Sequence, residues 1–424
     1  LPIPTDIANT IVDPQAYALG EPVDAAFAEL RRTAPFERAE PDGFAPFWVA
    51  TRHADLQEIE KQAELFSNSA RPSVLVPAAA EGLMHAASGG DANLVRSLVA
   101  TDGEEHLDLR TVALAPFAPP NIRKLEDQTR EAARGFVDRM LEAGPTCDFA
   151  TDVAALLPLR VVMGLLGVPE RDEPLLLKLT REIFNSDDPD LNRGGAHGSP
   201  VESMQGLVQT VADLEAYFDG MTRSWRDRPA DGLGSLIANA RIDGEYLNRR
   251  QLMGYYLILA TNGHYTTSNV MAGALWALAE RPALFARLKA DPGLINGFID
   301  ESIRWVTPVK HFMRTALADT EFQGAKIAQG DWVMLSYQSA NRDEEVFADP
   351  FTFDETRAPN KQIGFGYGPH LCLGRHLAKL EMRILWEELL PRLEAVELDG
   401  QPTRARSNFV CGPKSVPIRF TPAA

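Results

Sequence analysis

Cysteine is scarce in this chain: three among 424 residues, Cys147, Cys372 and Cys411. They are too few and too scattered for a disulfide framework, and no C-x-x-C pair points to zinc or thioredoxin-like chemistry. Long apolar runs are missing as well. The longest, such as Leu252–Ala260, fall short of the roughly 18 residues that span a bilayer. Positive charge is in deficit, with 42 Lys and Arg against 59 Asp and Glu and a net charge of −17. Nucleic acids and anionic membranes reward a basic face, so neither is expected as the main partner. Leu1-Pro-Ile-Pro-Thr lacks a charged start followed by an apolar stretch, so the expectation is no signal peptide and a cytoplasmic protein.

What is present is ordinary globular composition, 45% hydrophobic and 24% charged. The length exceeds the usual domain, but no repeat and no linker divides it, so residues 1–424 are read as one domain. Helical spacing dominates. It runs from Pro119-Pro120-Asn121 to Gly144, over Leu156–Leu166, from about Arg249 to Ala279, and from Gly374 to about Leu393. Strand signals cluster at Pro46–Thr51, Glu321–Tyr337 and Val416–Phe420. The fold class expected is mainly α with small β-sheets. Ala78–Gly90 and Asp187–Pro200 read as irregular surface loops.

The sharpest pattern is Phe365-Gly-Tyr-Gly368-Pro-His370-Leu-Cys372-Leu-Gly374. Most lone cysteines are small buried hydrophobes. Here glycines at 364, 366, 368 and 374 free the backbone around the sulfur, so that something bulky can approach the main chain. Cys372 also stands at a helix start, where the dipole and free N–H groups stabilise a thiolate, and Arg375 and His376 follow. Such a thiolate serves as a nucleophile or as an axial metal ligand.

The spacing Phe-x-x-Gly-x-x-x-Cys-x-Gly resembles the haem-thiolate loop of the cytochromes P-450. The resemblance extends to Glu301-Ser-Ile-Arg304, whose two charged residues share a helix face. It also takes in Arg357 as the third member of that group, and Asn341-Arg342-Asp343 with Phe347, Pro350 and Phe353. It implies the cytochrome P-450 fold, a single triangular domain, and haem b with Cys372 as the axial thiolate on iron. Haem propionates need cationic or donor partners. The family's pattern assigns them to His106, Arg110, Arg314 and His370, with Phe365 beside the thiolate.

On the long helix the run is Asn262-Gly263-His264-Tyr265-Thr266-Thr267. Gly263 in mid-helix costs about 1 kcal/mol relative to alanine, which points to close approach, such as to the haem. Thr266 aligns with the family's oxygen-site threonine and can bond back to a carbonyl one turn earlier. Tyr265 stands where the family has an acid. With a reference pKa of about 10 it donates a hydrogen bond at pH 7 but shuttles protons poorly. Two roles are open: part of an altered water relay with His264 or Asn262, or a residue turned away and packed, which leaves the relay to Thr266 and water.

The resemblance implies a monooxygenase that inserts one oxygen atom from dioxygen into a C–H bond. Pro308–Thr320 and Ser339–Phe347 are most similar to the terpineol-hydroxylating branch of the bacterial three-component enzymes. A small apolar substrate follows, a monoterpenoid or an aromatic hydrocarbon. Pocket residues expected by position are Ile258, Thr261, Asn262, Val309, Phe312, Phe409 and Val410, with Leu75–Gly90 and Ile183–Pro200 covering them.

No flavin or iron–sulfur motif is present, so electrons are expected from a two-iron ferredoxin and its NADH-dependent reductase. Arg357, Lys361, Arg375, Lys379 and Arg383 would steer that acidic partner. The unusual Tyr265 keeps a peroxide-driven or biosynthetic coupling enzyme as the alternative. A haem sensor without turnover and a cysteine hydrolase are the remaining readings.

Overall fold

A computed structural model describes residues 2–195 and 199–423. At its centre runs the helix Gly263–Ala279, nearly every residue of which is buried. A helix buried on all sides belongs inside a core. It packs against Leu156–Leu166, Ile295–Val306 and Arg375–Leu389. Leu156–Leu166 ends where Gly167 adopts left-handed geometry (φ 77°), which glycine takes without a Cβ clash.

The stretch expected as one helix from Arg249 to Ala279 is built in three parts. Arg249–Leu257 starts on a capping box between Asn248 and Gln251. Ile258–Asn262 then forms a π-helical turn, and Gly263 resumes the α-helix. Two side chains explain the break. Thr261 Oγ1 donates to the Leu257 carbonyl at 2.8 Å, and Thr266 Oγ1 to the Asn262 carbonyl at 3.1 Å. Both draw carbonyls out of the regular ladder.

The sheets lie to one side. Five strands run in the order Phe36–Ala39, Phe47–Ala50, Trp332–Ser336, His311–Ala316, Phe66–Ser67. All neighbours are antiparallel except Phe47–Ala50 with Trp332–Ser336. A second sheet joins Leu393–Leu398, Pro417–Pro422 and Thr146–Asp148.

Ala78–Ala87 is a helix rather than an irregular loop. Its Ala80 and Met84 pack with Met204 of Pro200–Asp227, the 28-residue helix that follows the second expected loop. Residues 196–198 of that loop lie outside the described residues. No helix among the described residues is long and apolar enough to cross a membrane.

Candidate active site

Buried charge organises the approach to Cys372. Glu301 and Arg304 are both fully buried. Glu301 Oε1 accepts from Arg304 Nη2 at 2.6 Å and Oε2 from Arg304 Nε at 2.7 Å. Arg304 Nη1 also donates to the carbonyls of Asn341 and Pro350, which ties the helix to the chain leading into the cysteine loop. Arg357 Nε lies 3.4 Å from Glu301 Oε2, and Asn360 Nδ2 donates to the same oxygen at 3.0 Å.

The cysteine loop closes on itself when the Cys372 N–H donates to the Phe365 carbonyl at 2.9 Å. Gly368 is required there. Its φ is +66°, and a Cβ would stand 2.5 Å from the Glu60 carbonyl. The contact is with protein, so this glycine serves the fold of the loop as well as any ligand above it. Gly263 is similar: a Cβ would meet the Val162 methyls at 3.2 and 3.3 Å. Burial pushes the Cys372 thiol up, against the amides of Gly374 and Arg375 and the charges of Arg375 and Arg110. The helix start therefore does not by itself make a low-pKa nucleophile, which counts against the hydrolase reading. A coordinated metal would remove the thiol proton outright.

Cys372 lies on the wall of a cavity of about 1540 Å³, its open mouth included. The same wall carries Phe365, Gly263, Thr266, Asn262, Ile258, Val309 and Phe312, together with His106, Arg110, Arg314 and His370. Four expected residues are not on it. Thr261 is buried, with its hydroxyl bonded to Leu257 and to Asn262 Oδ1. Phe409 and Val410 form a second layer, Val410 bridging to Val309 and Phe409 packing against Phe312. Tyr265 stacks on Phe184 at 5.4 Å and exchanges hydrogen bonds with the Asn185 amide at 2.8 and 3.2 Å. Burial pushes its hydroxyl well above the ordinary tyrosine value.

His264 is off the wall too, fully buried and pushed down to about 3 by desolvation. Leu75–Gly90 and the described part of Ile183–Pro200 contribute no wall residue. For Tyr265→Phe we expect a loss of about 1 kcal/mol from the Asn185 bond, read as a lowered urea midpoint. An unchanged midpoint would mean that the hydroxyl is not anchored to Asn185.

One end of the cavity is polar. Arg110 Nη2 donates to the Leu371 carbonyl at 2.6 Å, and the His106 and His370 rings lie 4.0 Å apart. His370 Nε2 is 2.9 Å from Asn68 Nδ2 and 3.5 Å from Asp102 Oδ1. Despite burial, Asp102 is held well below the usual carboxylate range by His370 first, and then by the Ser67 hydroxyl and the amides of Asn68 and Ser69, which donate to its Oδ2. Burial pushes His106 down to about 4, helped by His370 and Arg110. Its Nε2 is buried without a partner. That orphan, beside two guanidinium groups on a cavity with a cysteine sulfur, fits a ligand bearing carboxylates next to a metal.

The comparisons bear on the same residues. A family model described as Cytochrome P450 matches residues 293–420, which contain Glu301, Arg304 and Cys372. Cytochrome P450-terp of Pseudomonas sp is 48% identical over 422 residues, covering 99% of both chains. The chain belongs to the cytochrome P450 family. Linalool 8-monooxygenase of Pseudomonas putida is 31% identical, covering 97% of this chain and 98% of the relative. The crystal structure of CYP108D1 from Novosphingobium aromaticivorans superposes with a TM-score of 0.91 at 42% identity, covering 100% of both. The P450 is an oxidoreductase of the monooxygenase type, and its family carries haem b on an axial cysteine thiolate.

The basic patch expected beside the P450 cysteine is smaller than its count. Arg357 faces Glu301, Lys379 lies 2.6 Å from Asp300, and Arg383 pairs with Glu126 and Glu387. Lys361 and Arg375 keep no carboxylate partner among the described residues. Sequence reasoning also missed Glu60, Asn68, Asp102 and Tyr337, which gather at the polar end of the cavity. Glu60 left a trace: it follows Leu56 by four residues and Ile59 by one on the buried side of His53–Lys61.

Proposed function

We propose that this P450 inserts one oxygen atom from dioxygen into a C–H bond of a small apolar substrate, a monoterpenoid, with electrons from a ferredoxin. The observation that carries the reading is the shared wall: Cys372, Thr266 and the cationic end border one cavity. The names of Cytochrome P450-terp and Linalool 8-monooxygenase support the substrate class.

In this reading Cys372 would supply the thiolate that holds the iron, with Phe365 on the same wall, and His106, Arg110, Arg314 and His370 would hold the propionates. Haem bound there would supply the oxidising chemistry. The protein's part is positioning and proton supply. Gly263 and the π-helical turn before it open the central helix toward the cavity. The Thr266 hydroxyl, tied to the Asn262 carbonyl, holds a proton at its Oγ1 where water can renew it. Tyr265 stays outside that path through its bond to Asn185. Ile258, Val309 and Phe312 form apolar walls that exclude water, and Asn262 offers one polar anchor.

Optical titration of the ferric protein tests this reading, because a substrate that displaces water shifts haem from low to high spin. Monoterpenoids are expected to give the shift, followed by a hydroxylated product with ferredoxin, its reductase and NADH. A shift confined to steroids or polycyclic arenes would refute the substrate class. Product formed faster with hydrogen peroxide alone would favour the peroxide-driven alternative.

A further inference from the structure

Glu60 is a carboxyl group in an unexpected place. It lies in the last turn of the helix His53–Lys61, is 4% exposed and borders the same cavity as Arg314, His106 and Cys372. Its two oxygens differ. Oε1 accepts from the Tyr337 hydroxyl at 2.7 Å and from Arg314 Nη2 at 3.4 Å. Oε2 is buried and has no hydrogen-bond partner. A carboxylate would leave that oxygen as an unmet charge, which is costly in a buried site. A neutral acid makes the asymmetry sensible, with Oε1 as the carbonyl oxygen and Oε2 carrying a proton that needs an acceptor.

The charges around it point the same way. Arg110 and Arg314 are the cations at this end of the cavity. Against them stand Asp102, held ionised by His370 and by its donors on Oδ2, and the two propionates of haem b. Two positive charges thus face three negative ones before Glu60 is counted. The histidines do not restore the balance, since burial lowers both His106 and His370. Of the groups packed on Glu60, Arg314, the Tyr337 hydroxyl and the Tyr367 amide favour ionisation. Burial outweighs them and pushes the carboxyl up to about 7.

We propose that Glu60 is a further haem-binding residue, a neutral carboxylic acid whose Oε2–H donates to a propionate. The proposal rests on haem lying in this cavity, which the protein's own absorption spectrum checks separately. It makes the proton on Glu60 sensitive to the electron on iron. Reduction adds negative charge and strengthens proton binding. Raising the pH removes the proton to solvent, leaves an anion beside the propionate and lowers the reduction potential.

The test is the ferric/ferrous midpoint potential of the full-length haem-loaded protein, measured by spectroelectrochemistry from about pH 6 to pH 9. The wild-type potential is expected to fall through this range, by about 59 mV for each tenfold difference in proton affinity between the two iron states. Glu60→Gln keeps a donor but cannot titrate, so its potential should stay flat near the wild-type low-pH value. Tyr337→Phe removes a donor to Oε1, and should move the inflection up by about one pH unit. A wild-type potential that ignores pH, or an equal fall in Glu60→Gln, would overturn the proposal. If Glu60→Gln cannot be obtained with haem, an unmoved inflection in Tyr337→Phe overturns it instead. A wild-type protein without the haem-thiolate spectrum would sink the haem reading, a separate outcome.

Discussion

Glu301→Ala is expected to destabilise the protein by about 3–5 kcal/mol, the cost of stranding a fully buried charge. Arg304 would keep its bonds to the carbonyls of Asn341, Pro350 and Thr352 but lose both carboxylate contacts. The same deletion frees the Asp354 amide, which donates to Glu301 Oε1 at 2.9 Å, and the side chain of Asn360. That segment leads into the cysteine loop, so haem retention should fall together with the urea midpoint. Against a total of about 5–15 kcal/mol, such a loss brings the protein close to unfolding at room temperature. Urea unfolding of Glu301→Ala, Arg304→Met and the double variant checks it. If the two act as a buried pair, the double variant recovers part of the loss, because no charge is then left uncompensated. Two single losses that simply add would mean that the residues act separately.

The second large effect is on chemistry rather than stability. Cys372→Ser should remove the thiolate signature of the ferrous carbon monoxide complex and bring substrate oxidation to background. It should leave the fold nearly intact, since the Cys372 contact that closes the loop is a backbone bond to Phe365. A serine hydroxyl is a far weaker acid than a thiol, so it cannot supply the same electron donation to iron. Cys147→Ser and Cys411→Ala are the controls. Cys411 is buried with its thiol 3.2 Å from the Ala405 carbonyl, and Cys147 lies in the second sheet. Both variants should keep the thiolate spectrum. Full activity in Cys372→Ser, or loss of the spectrum in Cys411→Ala, would contradict this assignment of the sulfur.

Some of the site could be read without a structure because its residues are close in sequence. Phe365 to Gly374 is one continuous loop, and Glu301 with Arg304 is one turn of helix. His106 and Arg110 are likewise one turn apart, and the cavity receives both. The misses have physical causes. Thr261 is expected on the cavity by its position, but it lies in the π-helical turn and its hydroxyl turns back to Leu257. Val410 pairs with Val309, which puts it behind the wall that Val309 forms. Ala78–Ala87 looked irregular because it is rich in alanine and includes Gly82. Its helix is held by packing on Pro200–Asp227, a contact that local composition does not report.

The sequence by itself determined the cysteine loop from Phe365 to Gly374, the pairing of Glu301 with Arg304 on one helix face, and the two basic residues His106 and Arg110 one helical turn apart. Each depends on residues within one segment. Only the tertiary structure decided that Tyr265 is anchored to Asn185, that most of the expected basic patch is neutralised, and that Glu60 shares the polar end of the cavity with Arg314 and Tyr337. Those arrangements join segments up to 277 residues apart in the chain. Long-range pairing is set by how helices and sheets pack, which short-range spacing does not encode.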